Sequence, residues 1–120
     1  MNNIKGLNHY VPKGWGYEFW IWNNEEYCGK KLFMLGGKKL SWHYHNKKDE
    51  TFYIQSGKVW LYYGEVDDLG KAHFDQLVQG QTFHVYRGLR HRLEACVDSE
   101  IFEFSTQHFD DDSIRLMKGD

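Results

Sequence analysis

In the segment GKKLSWHYHNKKDETFYIQSG (Gly37–Gly57), His43 and His45 stand two residues apart, Glu50 follows five further on, and a glycine stands at each end. On an extended strand residues i and i+2 share a face, so both imidazoles point one way while Trp42 and Tyr44 point the other. Glu50, Phe52 and Ile54 are in phase on the next run. If that apolar phase faces inward, Glu50 enters beside the two histidines. A buried carboxylate facing buried imidazoles is costly unless something neutralises it, and a divalent metal ion would. A third histidine, His91, opens the run His91–Cys96 just after Gly88, on one face with Leu93 and Ala95. Three nitrogens and one oxygen suit Zn, Mn, Fe, Ni or Co and leave positions open for water or substrate. In a chain with seven histidines an HxH pair alone is commonly a surface coincidence. Glu50, His91 and the flanking glycines tip the reading to a metal site.

The elements that must position these groups read as strands. Short apolar or alternating runs recur at Tyr17–Trp22, Lys30–Leu35, Lys39–His45, Thr51–Gln55, Lys58–Tyr63, Ala72–Val78, Thr82–Tyr86, His91–Cys96 and Ile101–Thr106. Turn signals such as NNEE, GG, SG, QG and RG separate them, a pattern of antiparallel strands in a sandwich or barrel. No helical stripe precedes residue 107. The tail FDDDSIRLMKGD could start a short helix capped by an aspartate, and its acidic residues read as a solvated turn. The length, 120 residues, fits one domain spanning 1–120. Hydrophobic residues make up 41% and aromatics 18%, which excludes a disordered chain. The net charge of −2 comes without a basic block, which argues against nucleic acid and anionic membrane as partners. No apolar run reaches the length of a membrane span, and the first residues, MNNIKGLNHY, lack the hydrophobic region of a signal peptide. Cys28 and Cys96 form no close-spaced pair and read as reduced thiols, so a cytoplasmic location is expected.

At this point the residues match a family pattern. Gly37-x5-His43-x-His45-x4-Glu50-x6-Gly57 fits the first cupin motif at every defined position, and Gly80, Gly88 and His91 fit the second. The second motif departs at Tyr86, where proline is usual, and at Ala95, where asparagine is usual. Neither is a ligand position. More narrowly, GWGYE at Gly14–Glu18, the central YCGKKLFMLGGKKLSWHYHNKKDETFYIQSGKV, GLRHRLEA and FEFST resemble small single-domain cupins of the mannose-6-phosphate isomerase type. They also resemble the C-terminal isomerase domain of bifunctional mannose-1-phosphate guanylyltransferases; Gly14 replaces the proline usual in that group. The resemblance implies an all-β double-stranded β-helix (jelly-roll barrel), one divalent transition metal in its mouth, and a homodimer.

It also implies a small-molecule substrate, a sugar or sugar phosphate, and an isomerase or epimerase working through a metal-stabilised enediol. Such a reaction needs a proton carrier besides His43, His45, Glu50 and His91. Glu103, set amid the apolar IFEFS, and His84 are the catalytic candidates, with Tyr53 behind them. An unpaired, inward Glu103 would have its pKa raised toward the range of a general base. Lys39, Arg87, Arg90 and Arg92 are candidate phosphate cations, though most read as solvent-facing. Trp15 could line a sugar site but reads first as packing. His9, His73 and His108 read as surface. Two other functions fit the same residues: an Fe(II)-dependent cupin dioxygenase, and a non-catalytic sugar- or metal-binding module.

Overall fold

Inward-facing positions at every second residue carry apolar side chains, and this alternation builds two antiparallel sheets. The computed structural model describes residues 9–120, so most of the segment read for a signal peptide lies outside the described residues. Eleven strands are described: β1 (His9–Lys13), β2 (Gly16–Asn23), β3 (Cys28–Met34), β4 (Trp42–Tyr44), β5 (Glu50–Ser56), β6 (Lys58–Gly64), β7 (His73–Val78), β8 (Thr82–Val85), β9 (Arg90–Ala95), β10 (Ser99–Ser105) and β11 (Ile114–Met117). A six-stranded sheet runs β1-β2-β3-β10-β5-β8 and a five-stranded sheet β11-β4-β9-β6-β7. This is an all-β jelly roll, with no α-helix among the described residues. No described helix is long and apolar enough to cross a membrane. Cys28 and Cys96 are free thiols.

The inner faces of the sheets are graded along their length. β3 runs inward from Lys30 through Leu32 to Met34, β5 from Glu50 through Phe52 to Ile54, and β9 from His91 through Leu93 to Ala95. β10 runs the other way, so its Ile101 lies opposite Leu32 and Ile54 while Glu103 lies opposite Lys30 and Phe52. Register therefore gathers the apolar residues at one end of the barrel and the charged ones at the other. Met34, Ile54, Val59, Leu61, Leu93 and Ile101 are completely buried at the apolar end. Closing that end removes the most apolar surface from water, which leaves the polar end as the mouth.

All nine expected runs contain a strand, with two additions and one correction. β1 escaped notice because Pro12 interrupts it; proline is tolerated there because β1 is the edge of its sheet. The tail is not a helix. Asp110–Asp112 form a single 3-10 turn, and Ile114–Met117 pair with β4 as an edge strand. Its four residues have too little local preference to announce a strand, and the partner supplies it. Nor is Asp112 solvated: it is buried under the β4–β5 loop.

Gly57 joins β5 to β6 by itself, at φ 90°. A Cβ there would also meet the Asp98 carbonyl oxygen at 2.6 Å and the Ser99 hydroxyl. Gly37 has φ 85° but open space around its missing side chain. Gly37→Ala should therefore lose only the left-handed backbone term, about 1–2 kcal/mol. Gly57→Ala should add overpacking of about 1–3 kcal/mol. Urea unfolding of both variants checks the ranking, and equal losses would contradict it.

Candidate metal centre

Two paired strands bring the histidines together. His43 on β4 and His91 on β9 are paired across the five-stranded sheet, and His45 follows β4 directly. The ring centroids of His43 and His91 are 4.3 Å apart, and those of His43 and His45 4.9 Å. One ring nitrogen from each of the three lies within 4.8 Å of the others. The opposite nitrogen is committed in every case: Nδ1 donates to the carbonyl of Ser41 from His43, of Asp112 from His45 and of Leu89 from His91, each at 2.9 Å. A carbonyl only accepts, so Nδ1 carries the proton and the Nε2 lone pair is left for the interior. Backbone oxygens thus set all three tautomers.

Glu50 opens β5 against this triad. Its Oε1 lies 3.0 Å from His91 Nε2 and 3.8 Å from His45 Nε2. The His91 Nε2 and Glu50 Oε2 atoms are buried without a hydrogen bond. A proton-free Nε2 beside a carboxylate oxygen sets two lone pairs against each other, an arrangement that a cation between them relieves. Ligand atoms held at about 2.1 Å by one metal ion stand roughly 3–4 Å apart, and both Glu50–imidazole separations fall in that range. The donors present fit a divalent transition metal held by His43, His45, Glu50 and His91.

The electrostatics keep the donors in the form a metal needs. Burial, followed by the neighbouring imidazoles His91 and His45, holds His43 well below the ordinary imidazole range. Burial likewise lowers His45, against the opposing pull of Glu50. Burial alone would push the Glu50 carboxyl up, but the Lys48 ammonium and the imidazoles outweigh it and leave it well below the ordinary range.

Lys48 is the residue the sequence reading passed over. It is buried, and its Nζ lies 3.0 Å from Glu50 Oε2 and 3.0 Å from Glu103 Oε2. The Glu103 contact is a hydrogen bond; the Glu50 contact has ion-pair distance without hydrogen-bond alignment. The two carboxylates outweigh the burial penalty and raise the Lys48 pKa. It lies two residues before Glu50 but in the loop that precedes β5, where strand alternation fixes no phase.

Behind these groups opens a cavity of about 640 Å³. Glu103 lines it from β10, buried and inward, but it is not the unpaired carboxylate expected, because Lys48 holds it. His84 is not among the lining residues: it is exposed on β8 and 2.9 Å from Asp49. Tyr53 is also outside the lining. The expected phosphate cations are engaged elsewhere. Lys39 pairs with Asp120, Arg90 with Asp67, and Arg87 donates to the Lys47 carbonyl. Arg92 is buried, donating to the carbonyls of Leu40 and Lys118. The cations in the lining are instead Lys13, Lys30, Lys48, Arg115 and Lys118. Arg115 stands directly opposite His43 in the β11–β4 pairing. Trp15 lines the cavity while packing into the core, and two residues read as surface, His9 and His108, line its rim. His108 packs edge-on against Trp20 with centroids 4.6 Å apart.

The two antiparallel sheets form a jelly roll of the cupin fold. Solved structures agree. CapF, a capsular polysaccharide assembling protein from Staphylococcus aureus, superposes with a TM-score of 0.79 at 17% identity, over 92% of this chain and 34% of its own. Oxalate decarboxylase from Bacillus subtilis gives 0.78 at 16% identity, over 97% of this chain and 33% of its own. KdgF from Halomonas sp. gives 0.73 at 14% identity, over 86% of this chain and 91% of its own. The chain thus spans about a third of the length of the first two, and at these identities the likeness is one of fold. Oxalate decarboxylase has Mn(II) centres. No family model matches the chain, and no curated protein matches it by sequence.

Two predictions arise here. Asp112 accepts from the backbone N–H groups of Asn46, Lys47 and Lys48 at 2.9–3.0 Å, clamping the loop between His45 and Glu50. Asp112→Ala strands these donors and should cost about 3 kcal/mol in urea unfolding, with looser metal binding; Asp112→Asn should lose less. Second, the metal-free protein should weaken in acid. Below the ordinary imidazole value of 6.5, the unfolded chain takes up protons that folded His43 and His45 resist, so stability falls as pH drops. Glu50 adds a second loss below 4.5, as pH falls toward its depressed folded value. Urea midpoints that stay flat from pH 7.5 to 4 would refute this.

Proposed function

We propose that the chain is a metal-dependent isomerase or epimerase of sugars or sugar phosphates, of the mannose-6-phosphate isomerase type. The observation that carries this reading is the second charged pair, Lys48–Glu103, beside the candidate ligands in one cavity. Its volume of about 640 Å³ is that of a small-molecule site. Arg115 and Lys118 lie in its lining and suit a phosphate. The capsular polysaccharide role of CapF agrees with a sugar ligand. A divalent ion held by the three imidazoles and Glu50 supplies Lewis-acid polarisation of a substrate oxygen.

The chain's own groups do the rest. In an isomerisation Glu103 takes the proton from the hydroxyl-bearing carbon beside the substrate carbonyl and returns it to the carbonyl carbon, while the hydroxyl proton passes to the former carbonyl oxygen. Lys48 fixes the orientation of that carboxylate. Leu32, Leu40 and Phe52 line the same cavity and limit water around the reacting carbons. Glu103→Gln keeps shape but removes the base, so turnover should fall about a hundredfold or more with metal content unchanged. The test is a screen of aldose and ketose phosphates in deuterated water with metal-loaded protein. Turnover with deuterium entering the product supports the reading, and no turnover of any of them defeats it. A second reading, oxygen-dependent chemistry at iron, draws on the same three-histidine, one-glutamate set. Oxygen uptake by the Fe(II)-loaded protein would favour it.

A further inference from the structure

We propose that Lys48 is a substrate-binding residue, which donates an N–H to a negatively charged oxygen of a ligand seated beside the metal centre. The inference rests on the metal-centre reading above but not on isomerase turnover. The ligand class is a small molecule with oxygens on adjacent carbons, one of them anionic, as in an α-hydroxy carboxylate or the enediolate of an α-hydroxy carbonyl.

An ammonium has three N–H donors. One of those on Lys48 is hydrogen-bonded to Glu103 Oε2 at 3.0 Å, and Glu50 Oε2 lies 3.0 Å from the nitrogen without alignment. No other acceptor contacts Nζ among the described residues, yet Lys48 belongs to the lining of the cavity. Nζ therefore keeps at least one donor that neither carboxylate takes up, on a residue of the cavity wall. Glu50 fixes how near to the metal this is: Oε1 faces the imidazoles and Oε2 faces Lys48, so one carboxylate separates the two sites. A ligand with one oxygen at the centre can place its neighbouring oxygen near the ammonium.

Charge points to the same ligand class. Glu50 and Glu103 against Lys48 leave a single negative charge, with the histidines neutral. A divalent ion turns this into a single positive charge in a buried place, which one anionic group on the ligand cancels. A purely structural lysine would explain the Glu50 and Glu103 contacts, but not its place in the cavity wall with a donor unused.

The test uses Co(II)-loaded protein and glycolate as the probe, followed by the visible spectrum of the ion. Wild-type protein should bind glycolate with a spectral change. Lys48→Met should weaken glycolate about ten- to hundredfold, the scale of one hydrogen bond to a charged group. Its Co(II) affinity should be unchanged or tighter, because a cation next to Glu50 is gone. Should the leftover carboxylates prevent folding, the double variant Lys48→Met/Glu103→Gln removes one charge of each sign and should show the same loss of glycolate. Glycolate affinity equal to wild type overturns the proposal. So does a parallel fall in Co(II) and glycolate affinity, which marks a lysine that only shapes Glu50, and so does a wild type that ignores glycolate. None of these outcomes depends on phosphosugar turnover.

Discussion

A carboxylate removed from water has to be compensated, and at Glu50 the compensation organises everything around it. The side chain is 1% exposed at the inner end of a strand whose next inward residues are Phe52 and Ile54. On one side it meets Lys48, on the other the imidazoles of His91 and His45. A single buried ion pair is a doubtful source of stability, since desolvating both charges offsets most of their attraction. Here the lysine has a second carboxylate and the glutamate has two imidazoles nearby. The arrangement makes sense as a place prepared for further charge, more than as a device for holding the barrel together. Stability lies at the other end, in the dry core of Met34, Leu61, Leu93 and Ile101.

Separation of the two ends is a matter of register. Each inward face changes from charged to apolar along its strand, and antiparallel pairing aligns the changes. The Lys30, Glu103 and Phe52 positions stand side by side, as do Leu32, Ile101 and Ile54. A slip of one residue would turn every one of these side chains to the opposite face. Gly57 guards against that slip, because a one-residue connection with a left-handed backbone leaves β5 and β6 a single way to meet.

Local order was open to inspection in the sequence wherever the physics is local. Alternation placed His43, His45, Glu50 and His91 on inward faces, and glycine spacing marked the turns; in the structure the three imidazoles stand close to one another and Glu50 lies beside two of them. What escaped was contact across long separations. Asp112 sits 67 residues from the His45 ring that its carbonyl orients, and nothing in FDDDSIRL marks which aspartate is buried. Arg115 faces His43 only because β11 pairs with β4. Lys48 is a different case: a lysine in a polar loop suggests solvent unless the loop is known to fold inward. His84 shows the converse. A strand histidine is a fair candidate until pairing reveals an exposed neighbour of Asp49.

The dependence of His45 on Asp112 has a consequence for how the protein is made. Three of the four candidate ligands are synthesised close together, before the midpoint of the chain. A nascent chain displaying His43, His45 and Glu50 without the later segment would have a mobile loop and an unset His45 tautomer. Fixing of the loop by Asp112, together with the arrival of His91, comes only after more than sixty further residues have emerged. The complete set of candidate donors therefore exists only once the barrel has closed around it.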